Sequence, residues 1–296
     1  ALASLELDRK ALAAAEFEQV AAAATDPALA RGALWQAAEL YHAVAEQAGP
    51  VAVPVALPPA RVAKAASTAA ARRKRQAAAA AAPPQPATPQ AVAMRAWDRY
   101  LQRFPQPLEA AVEARWKQGA LSRLAGPAGA ARTSGLLQAV GAADAAGGEA
   151  RTAGTRSEAG QAALALTEPQ LAAYRQVRLV EPLARHLKLK KARMELVLQA
   201  YAAAAEVGVA EVTTQATFLS AALYQDFGRA LIDSERPKKL SKAEREQYDV
   251  MLEEQAFPFE EKAIELHEAN ARRSTQGLYD EGVRQSFAAL ATPKPV

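Results

Sequence analysis

One nine-residue pattern occurs three times in this sequence, as ALWQAAELY at 33–41, ARWKQGALS at 114–122 and ATFLSAALY at 216–224. Each copy begins with Ala, has an aromatic residue two positions on, a small residue five positions on and Leu seven positions on. At about 100° per residue, the first and last of these positions lie on one side of a helix and the middle two on another. We therefore expect each copy to be a helix that is buried between neighbours on two sides.

The residues expected to pack these helices together are apolar or small. They are Ala33, Trp35, Ala38 and Leu40 in the first copy, Ala114, Trp116, Gly119 and Leu121 in the second, Ala216, Phe218, Ala221 and Leu223 in the third, and Trp97 on the helix before the second copy. A helix pair that packs internally and also stacks on the next pair is the unit of an α-solenoid. The pattern predicts an irregular α-solenoid of antiparallel helix pairs.

The composition also favours helices. Hydrophobic residues make up 50% of the 296 positions, most of them Ala, whereas aromatic residues make up 6%. Ala has the highest helix propensity and lets helices approach closely. The one stretch with strand character, VAVPVAL, is interrupted by Pro54, which cannot donate a ladder hydrogen bond. We therefore expect an all-α protein.

Charge and cysteine content exclude several classes of site. The 36 basic and 32 acidic residues give a formal net charge of +4, which does not by itself indicate binding to nucleic acid. The absence of Cys excludes disulfides, Cys-ligated zinc and cysteine nucleophiles. The sequence contains no run of about 18 apolar residues, so no transmembrane segment is expected. Its beginning, ALASLELDRK, lacks the basic-then-apolar order of a signal peptide.

Proline, glycine and composition divide the chain into five regions. They are a helix pair over 1–49 whose second helix begins at Asp26 and Pro27, a Pro- and Ala-rich basic linker over 50–90, a helix pair over 91–125, a Gly- and Ala-rich segment without an assigned helix over 126–160, and a C-terminal helical region over 161–296. Within the last region, we expect helices over 161–180, 182–206, 211–234 and 241–276.

The helix over 241–276 carries the clearest local signals. Ser241 and Glu244 fit a capping box, in which each side chain accepts a hydrogen bond from the other residue's backbone N–H. Pro258 has no N–H to donate to the carbonyl of Glu254. We therefore expect this helix to be kinked near Pro258.

A family resemblance rests on Ala93-x3-Trp97-x2-Tyr100-x4-Pro105, which resembles the second helix of a tetratricopeptide repeat, with Tyr100 where the family usually has Ala. The stretch YLQRFPQPLEAAVEARWKQGALSRLAG is similar to repeats of bacterial envelope proteins, where a Tyr-x3-Phe-Pro helix end leads into the next helix. The resemblance implies antiparallel helix pairs of the tetratricopeptide type.

The C-terminal region contains the stretches RLVEPLARHLKLKKARMELVLQAY and YDVMLEEQAFPFEEKAIELHEAN. Over roughly 160–291, it resembles the end of tetratricopeptide-repeat proteins of proteobacterial envelopes. Such proteins are associated with gliding-motility or TonB/Exb-type energy-transducing systems. Gly282 departs from the pattern, which has Trp after Tyr279-Asp280-Glu281. The resemblance implies a periplasmic or outer-membrane-associated scaffold of a Gram-negative bacterium, in peripheral association with the envelope and with envelope motor or TonB/Exb-like proteins as partners. A cytoplasmic location is the alternative.

Residues that would carry catalysis or hold a metal do not cluster in the sequence. His42, His186 and His267 are far apart, and HEAN at 267–270 lacks the second His of a zinc protease motif. Ile264 occupies the place of the Glu in a Glu-x-x-His di-iron ligand pair. Phosphate-binding loops and the G-x-S-x-G elbow are absent. We expect no cofactor, no metal and no enzyme activity, with a helical-bundle hydrolase or lyase as the alternative.

One acidic and aromatic cluster is a candidate partner-binding site. Its members are Phe257, Phe259, Glu253, Glu254, Glu260 and Glu261. Two aromatic anchors with an acidic rim would suit a basic segment of a partner protein. The alternative is a solvated helix face around a kink, with both Phe rings in the core.

A basic run without acidic residues extends from Arg61 to Arg75. Such a run is able to contact phosphate or an anionic lipid headgroup, or to be a solvated linker. Aromatic residues for base stacking do not interleave with it, so no nucleic acid is expected. Taken together, the sequence predicts a non-catalytic scaffold for protein–protein interaction. The alternative is a structural subunit of a larger complex, whose Ala-rich helices pack on other chains.

Overall fold

A computed structural model describes residues 2–50 and 87–291 of the chain. Within those ranges every regular element is a helix and no strand is present, so the all-α prediction is confirmed. Nearly all of the predicted linker, including the basic run that ends at Arg75, lies outside the described residues.

The described residues form a series of helices. They are α1 (Leu2–Ala23), α2 (Pro27–Ala48), α3 (Pro89–Arg103), α4 (Leu108–Arg123), α5 (Ala130–Ala145), α6 (Ala153–Ala165), α7 (Glu168–Arg175), α8 (Leu183–Ala205), α9 (Ala210–Ile232), α10 (Lys242–Arg272) and α11 (Glu281–Ala291). Short 3₁₀ turns occupy Gly126–Gly129, Gly148–Ala150 and Arg273–Gln276.

Two predicted helix starts are confirmed by their hydrogen bonds. The Asp26 carboxylate accepts from the backbone N–H of Ala28 at 2.9 Å, where α2 begins. At the start of α10, Ser241 Oγ accepts from the N–H of Glu244 at 3.3 Å, and the Glu244 carboxylate accepts from the N–H of Ser241 at 2.7 Å. Backbone N–H groups at a helix N-terminus otherwise have no intrahelical hydrogen-bond partner.

The structure differs from the sequence-based assignment in the segment 126–160. That segment contains α5 and the first part of α6, although no helix was assigned there. Between these two helices, the buried Asp144 carboxylate accepts hydrogen bonds from Arg151 at 2.6 Å and from Thr155 Oγ1 at 2.7 Å. Burial alone would raise the pKa of Asp144, but the hydrogen bonds from Arg151 and Thr155 lower it, so the charged form is favoured. This link ties the end of α5 to the start of α6.

The predicted helix over 161–180 is also different in the structure. It is divided into α6 and α7 at Leu166 and Thr167. Pro169 lies in the first turn of α7, where its missing N–H removes no intrahelical hydrogen bond. By contrast, α10 is continuous from Lys242 to Arg272 with Pro258 inside it.

The chain divides into two compact units. Among the described residues, unit 1 comprises 2–50, 87–105 and 117–133, and unit 2 comprises 106–116 and 134–291. In unit 1, α2 contacts both α1 and α3. The ring of Trp35 lies 5.0 Å from the rings of both Trp97 and Tyr100 in edge-to-face geometry, which is favourable for aromatic pairs.

In unit 2, the central helix is α9, which contacts α6, α8, α10 and α11. Val212 and Phe227 of α9 are buried in a core with Val197 and Tyr201 of α8. Gly160 of α6 lies so close to α9 that an added Cβ would come within 2.5 Å of Val212 Cγ2. The close packing of α9 therefore depends on small residues at its crossings.

The three copies of the repeated pattern are all helical and largely covered. The first residue of each copy and the residue five positions on are buried in every copy. The aromatic residues Trp35, Trp116 and Phe218 are half-buried. No residue in 114–122 or 216–224 is exposed, and Gln36 is the exposed residue in 33–41. The expected burial on two sides is therefore present. Contacts between successive helices occur in solenoids and in bundles alike, so this burial does not distinguish the two.

Replacing Gly282 by Ala is expected to destabilise unit 2. An added Cβ at Gly282 would lie 2.7 Å from the backbone carbon of Thr214 and 2.8 Å from the backbone nitrogen of Gln215. Because these are backbone atoms of a packed helix, we expect a loss of about 1–3 kcal/mol in the free energy of unfolding. Urea unfolding followed by circular dichroism measures it.

The matched control is Gly135→Ala in α5, where an added Cβ meets nothing within 4 Å. It should stabilise the protein by about 0.5–1 kcal/mol, because Ala is the better helix former. Equal effects of the two substitutions would contradict the close approach of α11 to α9.

Candidate functional site

The predicted acidic and aromatic cluster lies in the middle of α10, and the structure separates its two aromatic residues. Phe257 is 50% exposed. Phe259 packs inward, with its ring 4.5 Å from Phe227 and 6.4 Å from Tyr224. Residues two apart on a helix point about 200° apart, so the two rings cannot face one partner. Phe259 belongs to the edge of the core of unit 2, and Phe257 is the aromatic residue at the surface.

The carboxylates of the cluster are divided in the same way. Glu253, Glu254 and Glu261 are exposed, whereas Glu260 is half-buried. Glu254 and Glu261 are three residues before and four residues after Phe257, which places all three on one side of α10. The exposed part of the predicted site is therefore one aromatic ring bordered by carboxylates.

The structure adds apolar residues that sequence reasoning missed. Val250 is 54% exposed and lies seven residues before Phe257, two helical turns away on the same side. Met251 is exposed next to it. The signal in the sequence was the pair of large apolar residues at a spacing of seven with acidic residues between them. We call the exposed set Val250, Glu253, Glu254, Phe257 and Glu261 the α10 face.

The opposite side of α10 explains why this face is turned outward. Leu252, Ala256, Ala263, His267 and Asn270 are all buried against the rest of unit 2. They recur at intervals of three, four or seven residues, so they form one stripe. A helix that buries this stripe must expose the side that carries Val250 and Phe257.

The end of the buried stripe forms a polar cluster with α9 and α11. Asn270 Nδ2 donates to the backbone oxygen of Thr214 at 2.8 Å and to Ser286 Oγ at 3.0 Å. Ser286 Oγ donates to the carbonyl of Gly282 at 2.9 Å, and His267 Nδ1 lies 3.3 Å from the same hydroxyl. Because Ser286 is completely buried and its proton is engaged by a carbonyl, this serine and histidine hold helices together and do not form a nucleophilic pair.

The polar contacts of unit 1 also serve packing. Trp97 Nε1 donates to His42 Nδ1 at 3.3 Å, and His42 Nε2 lies 3.3 Å from the Glu46 carboxylate. Burial lowers the pKa of His42, and the nearby Glu46 carboxylate opposes that effect. Lys117 Nζ lies 5.9 Å from the Trp35 ring and 5.7 Å from the Trp97 ring, within the range of cation–π attraction. These contacts place Trp35 and Trp97 in the packing of unit 1.

In residues 2–50 and 87–291, His, Asp and Glu side chains form no group of three that is able to hold a metal ion. In the same ranges, no helix has the length and apolar character needed to cross a bilayer.

No protein-family model, curated protein or solved structure matches the chain significantly. The tetratricopeptide resemblance therefore stays a prediction, and the α10 face is interpreted from its own geometry.

The stability of unit 2 is expected to fall at mildly acidic pH because of His267. Burial lowers the pKa of this imidazole, and Nε2 has no hydrogen-bond partner among the described residues. As the pH falls below the ordinary value of about 6.5, the unfolded chain binds a proton that the folded chain does not. Stability is therefore lost from that pH down to the lowered pKa. An NMR titration of the His267 ring protons should give a pKa below that of the unfolded chain.

Urea unfolding at two pH values measures the effect of His267 on the stability of the chain. The native chain should lose more stability between about pH 7 and about pH 5 than a His267→Gln variant. His186→Gln is the control, since His186 is half-buried on α8 and outside the polar cluster. A His267 pKa at or above the ordinary value would contradict the interpretation.

Proposed function

We propose that this chain is a non-catalytic scaffold that binds a partner protein through the α10 face. The observation that carries the proposal is the exposure of Val250, Glu254, Phe257 and Glu261 along one side of a helix whose other side is buried. Exposed apolar residues at a spacing of seven, with charges between them, are the anchors by which a helix binds another helix.

The chemistry of the α10 face indicates the kind of partner. Glu253, Glu254 and Glu261 surround Phe257 with negative charge, so the complementary surface is basic. Val250 and Phe257 are about 10 Å apart along the helix axis, at a rise of about 1.5 Å per residue, so two apolar positions two turns apart suit a partner helix. We therefore propose an amphipathic, basic helical segment as the occupant.

The architecture and setting are part of the same proposal. The resemblance of Ala93-x3-Trp97-x2-Tyr100-x4-Pro105 to the second helix of a tetratricopeptide repeat supports a tetratricopeptide-like array of helix pairs, and the two-sided burial of the repeated pattern is compatible with it. The resemblance of 160–291 to envelope proteins supports a periplasmic or outer-membrane-associated location, with a motility or energy-transducing component as the partner. These assignments rest on the motifs in the sequence.

Affinity capture with the full chain as bait tests the proposal. Phe257→Ala and Glu254→Lys should each weaken capture of the same partner by about tenfold or more, because truncating a central anchor or reversing a rim charge removes favourable contacts. Glu206→Lys is the matched control, since Glu206 is an exposed acid at the end of α8. Mass spectrometry identifies the protein whose recovery depends on both residues.

Circular dichroism of the same variants separates binding from folding. Both substitutions are at exposed positions, so the helicity and the unfolding midpoint of each variant should equal those of the native chain. Recovery of every captured protein at the native level in both variants would rule out the α10 face as the docking surface. Loss of helicity would instead make these residues structural.

A second function, a structural subunit of a larger complex, is supported by a different surface. Helix α8 exposes a stripe at alternating spacings of three and four residues, formed by Leu189, Ala192, Leu196, Gln199 and Ala203. This spacing is that of a coiled-coil seam. If this stripe packs on other chains, Leu196→Glu should change the mass of the assembly in light scattering, whereas Phe257→Ala should not.

A further inference from the structure

A cavity of about 390 Å³ lies where α9 connects to α10. Its lining includes Arg236, Lys238 and Arg245, and Asp249 is the acidic residue among the lining residues. Three cations therefore face one carboxylate within a space that is large enough for a small ligand. The excess of positive charge favours an anion.

The one carboxylate is already engaged. Arg236 Nε donates to Asp249 Oδ1 at 2.6 Å, and a second nitrogen of Arg236 donates to the carbonyl of Ser234 at 2.5 Å. Lys238 and Arg245 make no ion pair within the part of the chain that the structure describes. These two cations are the ones that are available to a ligand.

A buried hydroxyl belongs to the same lining. Ser234 is 4% exposed, and its Oγ has no hydrogen-bond partner among the described residues. Buried hydroxyl groups in proteins normally have a partner, because burying an unpaired one is costly. Ser234 therefore has a hydroxyl group that no described residue uses, in a lining that also contains Lys238 and Arg245.

The N-terminus of α10 adds to the positive charge at the cavity. The helix begins at Lys242, and both Leu240 and Arg245 on either side of that start line the cavity. The N-terminus of a helix carries about half a unit of positive charge, which favours anions nearby. This contribution reinforces the side-chain charges and does not replace them.

We propose that this cavity binds a phosphate group, with Arg245 and Lys238 as the charged contacts and Ser234 Oγ as a hydrogen-bond donor. A phosphate dianion matches two unpaired cations, and Arg recognises phosphate through paired N–H donors. The phosphate group is either free inorganic phosphate or the phosphomonoester headgroup of a lipid. The site is separate from the α10 face, whose charge is negative, so it does not rest on the proposed function.

Titration calorimetry with inorganic phosphate tests the site in the full chain. Arg245→Gln and Ser234→Ala should each weaken binding by about tenfold or more, because each removes a hydrogen bond to a charged ligand. Lys188→Gln is the matched control: it removes one exposed cation of α8, outside the cavity, and should bind as the native chain does.

Ser234→Ala also distinguishes a binding role from a structural one. Without phosphate, its melting temperature should be equal to or above that of the native chain, because the substitution removes an unpaired buried hydroxyl. With phosphate, the native chain should gain melting temperature and the variant should gain less. A Ser234→Ala chain that melts lower without phosphate and binds phosphate normally would overturn the proposal.

Vesicle sedimentation separates the two sources of phosphate. Vesicles of phosphatidylcholine with and without phosphatidic acid are compared, using the same variants. If the chain binds phosphatidic acid vesicles through Arg245 and Ser234 but does not bind free phosphate, the site is assigned to a lipid headgroup. If the chain binds free phosphate through the same residues but does not bind the vesicles, the site is assigned to free phosphate. Absence of both, or equal losses in Lys188→Gln and Arg245→Gln, would refute the proposal.

Discussion

Helix α9 is enclosed by α6, α8, α10 and α11, and this enclosure constrains the whole of unit 2. A helix covered on several sides needs small residues where its neighbours cross closely, which here are Gly160 on α6 and Gly282 on α11. It also needs partners for polar groups that lose contact with water. Asn270 on α10 provides one by donating to the backbone oxygen of Thr214 on α9. Packing and hydrogen bonding therefore meet at the same crossing.

That crossing determines which side of α10 is available to a partner. Asn270 and His267 must face α9 and α11, and the stripe that continues them along α10 is buried as far as Leu252. The buried stripe, from Leu252 to Asn270, sets the rotation of α10 about its own axis. Phe257 and the acids around it lie on the side opposite this stripe and are therefore exposed.

The same geometry shows how far the candidate site was predictable. Sequence reasoning found the acidic cluster and both Phe residues, because local composition identifies them. It grouped Phe257 with Phe259, although residues two apart lie on nearly opposite sides of a helix. It also omitted Val250, whose relation to Phe257 is clear only when the buried stripe is known. Sequence reasoning missed the cationic cavity because Arg245 is on α10, whereas Ser234 lies just after α9. The spacing of these residues in the sequence does not indicate that they line the same cavity.

The sequence by itself determined the all-α class, the capping box at Ser241 and Glu244, the start of α2 at Asp26, and the burial of the repeated pattern, because these depend on propensity, capping and periodicity within one helix. Only the tertiary structure decided that 126–160 contains α5 and the first part of α6, that His267, Asn270 and Ser286 form one cluster, and that Phe259 is inside while Phe257 is outside. These features depend on which residues distant in the chain become neighbours, and short-range patterns do not specify such contacts.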